Sequence, residues 1–85
     1  MDSVFKALSD PNRRKILTLL KKKDLSVTQL QKHFKISGAS LSHHLDILKR
    51  ANLVIAERRG QFIFYSLNTS VFEQITKFFF DKFKK

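Results

Sequence analysis

The chain has 85 residues without a cysteine, and its 17 Lys and Arg against 7 Asp and Glu give a formal net charge of +10 at pH 7. This composition excludes disulfides, thiolate metal ligands and a nucleophilic thiol, and the sequence shows neither the roughly 18-residue apolar run of a membrane span nor a signal peptide. We expect a single cytoplasmic domain over residues 1–85, whose positive charge is typical of proteins that bind nucleic acid or an anionic membrane.

A short first helix is predicted at the N-terminus. Val4, Phe5 and Leu8 recur at helical spacing within Asp2–Leu8. A helix of this length is not stable by itself, so it must pack on another part of the protein.

A second helix is predicted from Asp10-Pro11 to about Lys22. Asp10 is a suitable N-cap, and Pro11 stands at the first helical position, where its missing N–H costs nothing. Three cations, Arg13–Lys15, crowd the first turns, where the helix dipole prefers acids. They indicate either an anion nearby or a solvated basic face.

The next segment has helix-turn-helix spacing. Ser26 and Gln29 resemble a capping box that opens a third helix. Lys35-Ile36 then makes a tight turn into Ser37, a suitable N-cap for a fourth helix that ends at Arg50. The buried stripe of this fourth helix is expected to consist of Leu41, Leu45 and Leu48.

The opposite face of the fourth helix is small and polar at its N-terminal end. Short side chains allow the start of a helix to enter the major groove, where its first turns meet base edges and its amides meet phosphate. An ordinary amphipathic helix with a serine-rich start is the alternative, and the flanking segments favour a recognition helix. The face carries Ala39, Ser42, His43, Asp46 and Arg50, with Ser40 on its flank.

A β-hairpin is predicted after this helix. Strands over 53–57 and 61–67 flank Arg58-Arg59-Gly60, in which the glycine supplies the positive φ of the turn. Two arginines at an exposed tip are well placed to reach phosphates or a minor groove. A helix-turn-helix followed by such a hairpin is a winged helix, so the predicted fold is mainly α, with about five helices and a two-stranded wing.

A last helix is predicted from Ser70, and it carries more phenylalanine than one small core can cover. The surplus favours a homodimer formed with the first helix, because large exposed apolar patches mark interfaces. A membrane-surface helix is the rival interpretation, since lysines at 77, 82, 84 and 85 accompany the phenylalanines. The candidate dimer residues are Val4, Phe5, Leu8, Phe72, Ile75, Phe78, Phe79 and Phe83.

Three stretches of the chain resemble motifs of the ArsR family of bacterial winged-helix repressors. Ala7–Leu17 resembles the opening motif, Leu41–Leu45 through Ala51–Val54 the recognition-helix motif, and Arg58–Gln61 with Tyr65–Leu67 the wing. The similarity spans nearly the whole chain, and the three motifs in order are more specific than any one alone. Within the family the chain is most similar to the short, cysteine-free SdpR-type autorepressors.

The resemblance implies a homodimeric repressor that binds double-stranded DNA at a palindromic operator, with its own promoter as one candidate. The first and last helices would form the dimer, and an unidentified protein or signal would relieve repression. His44 would be a packed structural histidine, and periodicity agrees because it falls beside Leu41 and Leu48. The residues expected at the DNA are Ser37, Gly38, Ala39, Ser40, Ser42, His43, Arg58, Arg59 and Gln61.

The chain departs from the family pattern at three positions. Gly38 stands where a longer polar residue is common, so one base contact is absent or made by backbone. Asp46 brings a negative charge to the DNA face, which is tolerable if it accepts from a cytosine amino group or pairs with Arg50. Asn52 replaces a common glycine at the helix end, a mild change.

Many members of that family sense metals, and this chain lacks the cysteine ligands that such sites use. His43 and His44 diverge by about 100° on a helix and cannot chelate one ion together. Ser42 and His43, as helix neighbours, do not face each other as a nucleophile and base would. We therefore expect no metal, no cofactor, no small-molecule substrate and no enzymatic activity. The alternative function is a winged helix that binds a protein or membrane through its basic surface and its C-terminal phenylalanines.

Overall fold

The computed structural model describes residues 2–83, with side chains to residue 82. Over these residues the fold consists of five helices and one small three-stranded sheet. The helices are α1 Asp2–Leu8, α2 Pro11–Lys22, α3 Val27–Gln31, α4 Gly38–Arg50 and α5 Thr69–Phe83, and the strands are β1 Leu25–Ser26, β2 Val54–Arg59 and β3 Phe62–Leu67. The predicted five helices and β-hairpin are confirmed, and β1 is an addition to them.

Each predicted helix cap forms as expected. The carboxylate of Asp10 accepts hydrogen bonds from two amides in the first turn of α2. Ser26 and Gln29 form a complete capping box, with the Gln29 amide 3.2 Å from Ser26 Oγ and the Ser26 amide 2.9 Å from Gln29 Oε1. Ser37 Oγ accepts from the Ser40 amide at 3.0 Å. Side-chain acceptors at these positions pair helix-start amides that otherwise lack an intrahelical partner.

The sheet has three antiparallel strands in the order β1-β3-β2. Leu25 pairs with Tyr65, and Ser26 pairs with Phe64, so the segment before α3 is fastened to the hairpin. The expectation of a two-stranded wing was therefore incomplete. A strand of two residues has no periodicity of its own, and it exists because β3 offers a free edge.

The turn of the hairpin lies one step further along the chain than expected. Strand β2 continues through Arg58 and Arg59, and the turn is formed by Gly60 and Gln61, with a φ of +64° at Gly60. The prediction of a turn over Arg58–Gly60 was wrong in this respect. The pairing of Arg59 with Phe62 in the ladder extends both strands to the glycine.

The core lies between α1, α2, α3, α4 and the base of the sheet. The predicted stripe of α4 is confirmed, because Leu41, Leu45 and Leu48 are fully buried. Burying one such side chain contributes about 1.5–3 kcal/mol. Helix α4 ends where Asn52 adopts a φ of +61° and the Leu53 amide donates to Leu48 at 3.0 Å, which turns Leu53 into the core. The core thereby fixes both the end of α4 and the start of the hairpin.

Candidate nucleic-acid interface

The N-terminal half of α4 presents its polar face to solvent. All six residues that the sequence places at the DNA from this region are exposed, namely Ser37, Gly38, Ala39, Ser40, Ser42 and His43. A Cβ added at Gly38 would meet only Gln31 Oε1, at an ordinary 3.7 Å, so packing within the chain does not require a glycine there. The face is open to a large ligand, and its first-turn amides point out of the helix end.

Asp46, the acid on this face, is neutralised within the helix. Its Oδ2 lies 3.0 Å from Arg50 Nε, one turn later, and both side chains are exposed. The pairing with Arg50 is one of the two arrangements that the sequence allowed. Burial and the negative charge of Asp46 raise the pKa of Tyr65 in β3, so the field of this carboxylate extends to the base of the wing.

The two wing arginines have different surroundings. Arg59 is held by Asp24 and Glu57, each 2.8 Å from its guanidinium, and its Cζ lies 4.7 Å from the centre of the Phe64 ring. The hydrogen bonds to the two carboxylates raise the pKa of Arg59 further above its usual value. Arg58 is exposed and donates to the Gly60 carbonyl at 3.2 Å. Arg58 is therefore more available to an external anion than Arg59.

The cations at the start of α2 bind carbonyl oxygens of neighbouring segments. Lys15 Nζ lies 2.6 Å from His33 O, and Arg14 Nη1 lies 2.8 Å from Leu8 O. Arg13 is buried and bonds the carbonyl of Ala7. The acceptors on Leu8 and Ala7 belong to the last turn of α1, where the helix dipole is negative. Arg13 therefore has a structural role, whereas Arg14 and Lys15 remain exposed, as the interpretation of a solvated basic face expects.

His44 is packed between α4 and α2, as the resemblance implies. Its side chain is 13% exposed, and its Nδ1 lies 3.9 Å from Asp10 Oδ1. Burial alone would raise the pKa of Asp10, but amide hydrogen bonds from Arg13 and Asn12 outweigh it, together with the charge of Arg13 and, in its protonated form, that of His44, so that this pKa lies below 3.8. The N-cap of α2 thus also faces the recognition helix, a role that its sequence context does not reveal.

The terminal helices meet through phenylalanine. Phe5 of α1 and Phe79 of α5 are 41% and 40% exposed, and their ring centres lie 5.9 Å apart. Phe78 packs edge-on against Phe79, with ring centres 5.4 Å apart. We call Phe5, Phe78 and Phe79, together with the 65% exposed Phe80, the terminal patch. Phe80 was not among the expected dimer residues, although its place in the phenylalanine run pointed to it.

The other expected dimer residues lie closer to the core. Val4 is buried within the single chain, where it belongs to the hydrophobic core. Leu8, Phe72 and Ile75 are half-buried and pack against that core. The side chain of Phe83 lies outside the described residues, as do Lys84 and Lys85 of the membrane-surface interpretation.

Comparisons with known proteins agree on one family. Residues 10–56 match the sequence pattern described as "Bacterial regulatory protein, arsR family". The chain is 56% identical over 73 residues to the transcriptional repressor SdpR of Bacillus subtilis, which covers 86% of this chain and 81% of SdpR. The chain belongs to the ArsR family.

Further relatives bear out the ArsR fold and function class. An arsenical resistance operon repressor of Staphylococcus xylosus is 35% identical, with 91% of this chain and 74% of the repressor covered. An ArsR-like transcriptional regulator from Rhodococcus sp. RHA1 superposes with a TM-score of 0.85 at 31% identity, covering 92% of this chain and 72% of the other. The predicted family, winged helix-turn-helix fold and DNA-binding regulatory class are confirmed, and ArsR regulators are not enzymes.

Within the described part of this ArsR chain, no three His, Asp or Glu side chains converge as metal ligands would. The rings of His43 and His44 have centres 6.1 Å apart and a tilt of 53° between their planes. The absence of a metal response stays a prediction, which titration of zinc, copper and nickel into a protein–DNA complex tests. Over residues 2–83, no helix combines the length and apolarity needed to cross a membrane.

Proposed function

We propose that the protein acts in the cytoplasm as a homodimer that binds a palindromic operator and represses transcription, with its own promoter as a candidate target. The coarser class, a DNA-binding transcriptional repressor of the ArsR and SdpR type, follows from the 56% identity over most of both chains. The observation that carries the proposal is the uncovered polar face of α4, whose acid, Asp46, is paired with Arg50.

The recognition helix supplies the sequence reading in this proposal. Ser40, Ser42 and His43 reach base edges in the major groove, where a hydroxyl or imidazole can donate or accept. The amides of Gly38 and Ala39, with the Ser37 hydroxyl, approach a phosphate at the positive end of the helix dipole. The short side chains at 38–40 let the helix end come close to the DNA.

The wing supplies contacts that do not depend on base sequence. Arg58 and Gln61 are exposed at its end, and we assign them to the DNA backbone or the minor groove. Arg59 contributes a phosphate contact only by exchanging Asp24 or Glu57 for the phosphate. A phosphate that approaches this end of the wing therefore meets Arg58 first.

A second copy of the chain is the proposed occupant of the terminal patch. The patch joins both ends of the chain, and a two-fold axis would place it against the same patch on a partner. On the same two helices, Leu8, Phe72 and Ile75 are half-buried and pack against the core. Two recognition helices would then read half-sites about one helical turn, roughly 34 Å, apart.

The exposed phenylalanines beside Lys77 and Lys82 favour a second candidate, a module that binds an anionic membrane. Selection of bound fragments from sheared genomic DNA, with phosphatidylglycerol vesicles as competitor, separates the two. Repression predicts an enriched sequence with dyad symmetry, bound at least about 10³-fold more tightly than shuffled DNA and retained in the presence of vesicles. Fragments without a shared sequence, or complexes that vesicles dissociate, would contradict repression.

A further inference from the structure

Arg13 lies where α1, α2 and α4 meet. From α2, its Nε donates to Ala7 O at 2.7 Å and its Nη2 to Lys6 O at 3.3 Å, both in the last turn of α1. Its Nη1 lies 3.2 Å from Nδ1 of His44 on α4. One planar guanidinium therefore touches the helix that carries Phe5 and the helix that carries the DNA face.

The contact between Arg13 and His44 defines the state of the imidazole. An arginine side chain only donates hydrogen bonds, so a hydrogen bond from Arg13 Nη1 to Nδ1 of His44 requires the tautomer that carries the ring proton on Nε2. Arg13 is 9% exposed, and within residues 2–83 no carboxylate hydrogen-bonds its guanidinium. A buried, charged donor that loses its acceptor is destabilising, so the arrangement resists displacement.

This contact acts together with the buried Leu41, Leu45 and Leu48 to constrain the rotation of α4 about its own axis. His43 and His44 are consecutive residues and lie about 100° apart around the helix. A rotation that moves His44 away from Arg13 moves the exposed His43 through the same angle. Contact geometries at base edges tolerate only about 10–20° of misorientation. The orientation of the exposed His43 is therefore coupled to the position of the packed His44.

We propose that Arg13 is a positioning residue that fixes the angle of the recognition helix relative to α1, and thereby the spacing of the two recognition helices in the dimer. The inference rests on the proposed function. Only if α1 and α5 form the dimer does the angle between α4 and α1 determine the distance between the two recognition helices on DNA. Its signature is a preference for one separation of half-sites. If Arg13 only stabilised the fold, its substitution would leave that preference intact.

The test measures binding of the full chain to operators with the natural half-site separation or with one base pair inserted. We expect the wild type to prefer the natural separation by at least about tenfold, and Arg13→Lys and His44→Leu to reduce this preference to about threefold or less. His44→Gln, which keeps an acceptor, should retain most of it. Both operators are measured on one preparation, so the ratio does not depend on the folded fraction.

Arg14→Met is the matched control, since the side chain of the exposed Arg14 also bonds a carbonyl of α1 and, among the described residues, has no hydrogen bond to α4. It should keep the full preference. If Arg13→Lys and His44→Leu keep it too, or if Arg14→Met loses it equally, the positioning role is overturned. Where Arg13→Lys does not fold, the two His44 variants decide alone.

Nitrogen-15 NMR of the free protein at neutral pH gives an independent readout. The inference requires an unprotonated Nδ1 on His44, and a protonated Nδ1 would overturn it without any DNA present. Failure of the proposed function would instead appear as a wild type that binds operator and shuffled DNA equally. The two failures are therefore distinguishable.

Discussion

Arg59 Nη2 lies 2.8 Å from Oδ2 of Asp24, a residue 35 positions earlier in the chain. This ion pair fastens the wing to the segment that leads into β1, and Glu57 holds the same guanidinium from within β2. Exposed pairs of this kind contribute little to stability. Their effect here is to occupy one of the two wing arginines, which separates the expected roles of Arg58 and Arg59.

Substitution of the wing arginines should therefore give unequal effects. Arg58→Ala should weaken binding to operator and shuffled DNA in parallel and reduce the slope of log affinity against log salt by about one. Arg59→Ala should reduce that slope less, because its charge is already paired. Asp24→Asn is the companion variant, and it should tighten binding at low salt by releasing Arg59. Equal slopes for the two alanine variants would show that both arginines contact phosphate.

Substitutions on α4 should lower the affinity for the operator without lowering the affinity for DNA of unrelated sequence. Ser40→Ala or His43→Ala should cost about 1–3 kcal/mol on the operator, because a base-edge contact is lost, and should leave shuffled DNA nearly unchanged. Titration of labelled duplexes at fixed salt measures both. The exposed Thr28 on α3 offers a control, since Thr28→Ala should alter neither affinity. Parallel losses on the two duplexes would make Ser40 and His43 phosphate contacts.

The terminal patch should control assembly. Sedimentation equilibrium at micromolar concentration should show a wild-type dimer and a Phe79→Lys monomer, because the lysine would place a charge at the centre of the proposed interface. Phe62→Lys is the matched control, since Phe62 is similarly exposed, at 47%, but lies on the wing. It should remain a dimer. A wild-type monomer, or dissociation by Phe62→Lys and not by Phe79→Lys, would place the interface elsewhere.

The cap of α2 should make stability depend on pH in the acid range. The pKa of Asp10 is lower in the folded protein than its ordinary 3.8, so the ionised carboxylate stabilises the fold. This contribution is fully present above the unfolded-state value and is lost as the pH falls through the folded-state value. Asp10→Asn and Asp10→Ser, which cap without titrating, should be less stable than wild type at neutral pH.

The difference between wild type and these variants should shrink well below pH 3.8, where Asp10 is protonated. Urea unfolding across the acid range measures it. A stability difference that does not vary with pH would mean that the charge on Asp10 does not contribute.

Features that depend on neighbouring residues could be predicted from the sequence, whereas contacts between residues far apart in the chain could not. The caps at Asp10, Ser26 and Ser37 need only neighbouring residues, so their patterns sufficed. Arg13 stands in a run of cations that is typical of an exposed face, and only the tertiary structure brings acceptors from α1 and α4 to it. The pairing of Arg59 with Asp24 was equally hidden, because no local pattern connects a loop acid to a strand end.

The short strand β1 connects the wing to the helix-turn-helix. Because Ser26 pairs with Phe64 and also caps α3, one residue links the start of the helix-turn-helix to β3, the middle strand of the sheet. A movement of the hairpin relative to α3 would break the pairing of Ser26 with Phe64 and disturb the cap of α3. We therefore expect the hairpin and the helix-turn-helix to open as one cooperative unit, with slow amide exchange extending from α3 into β3.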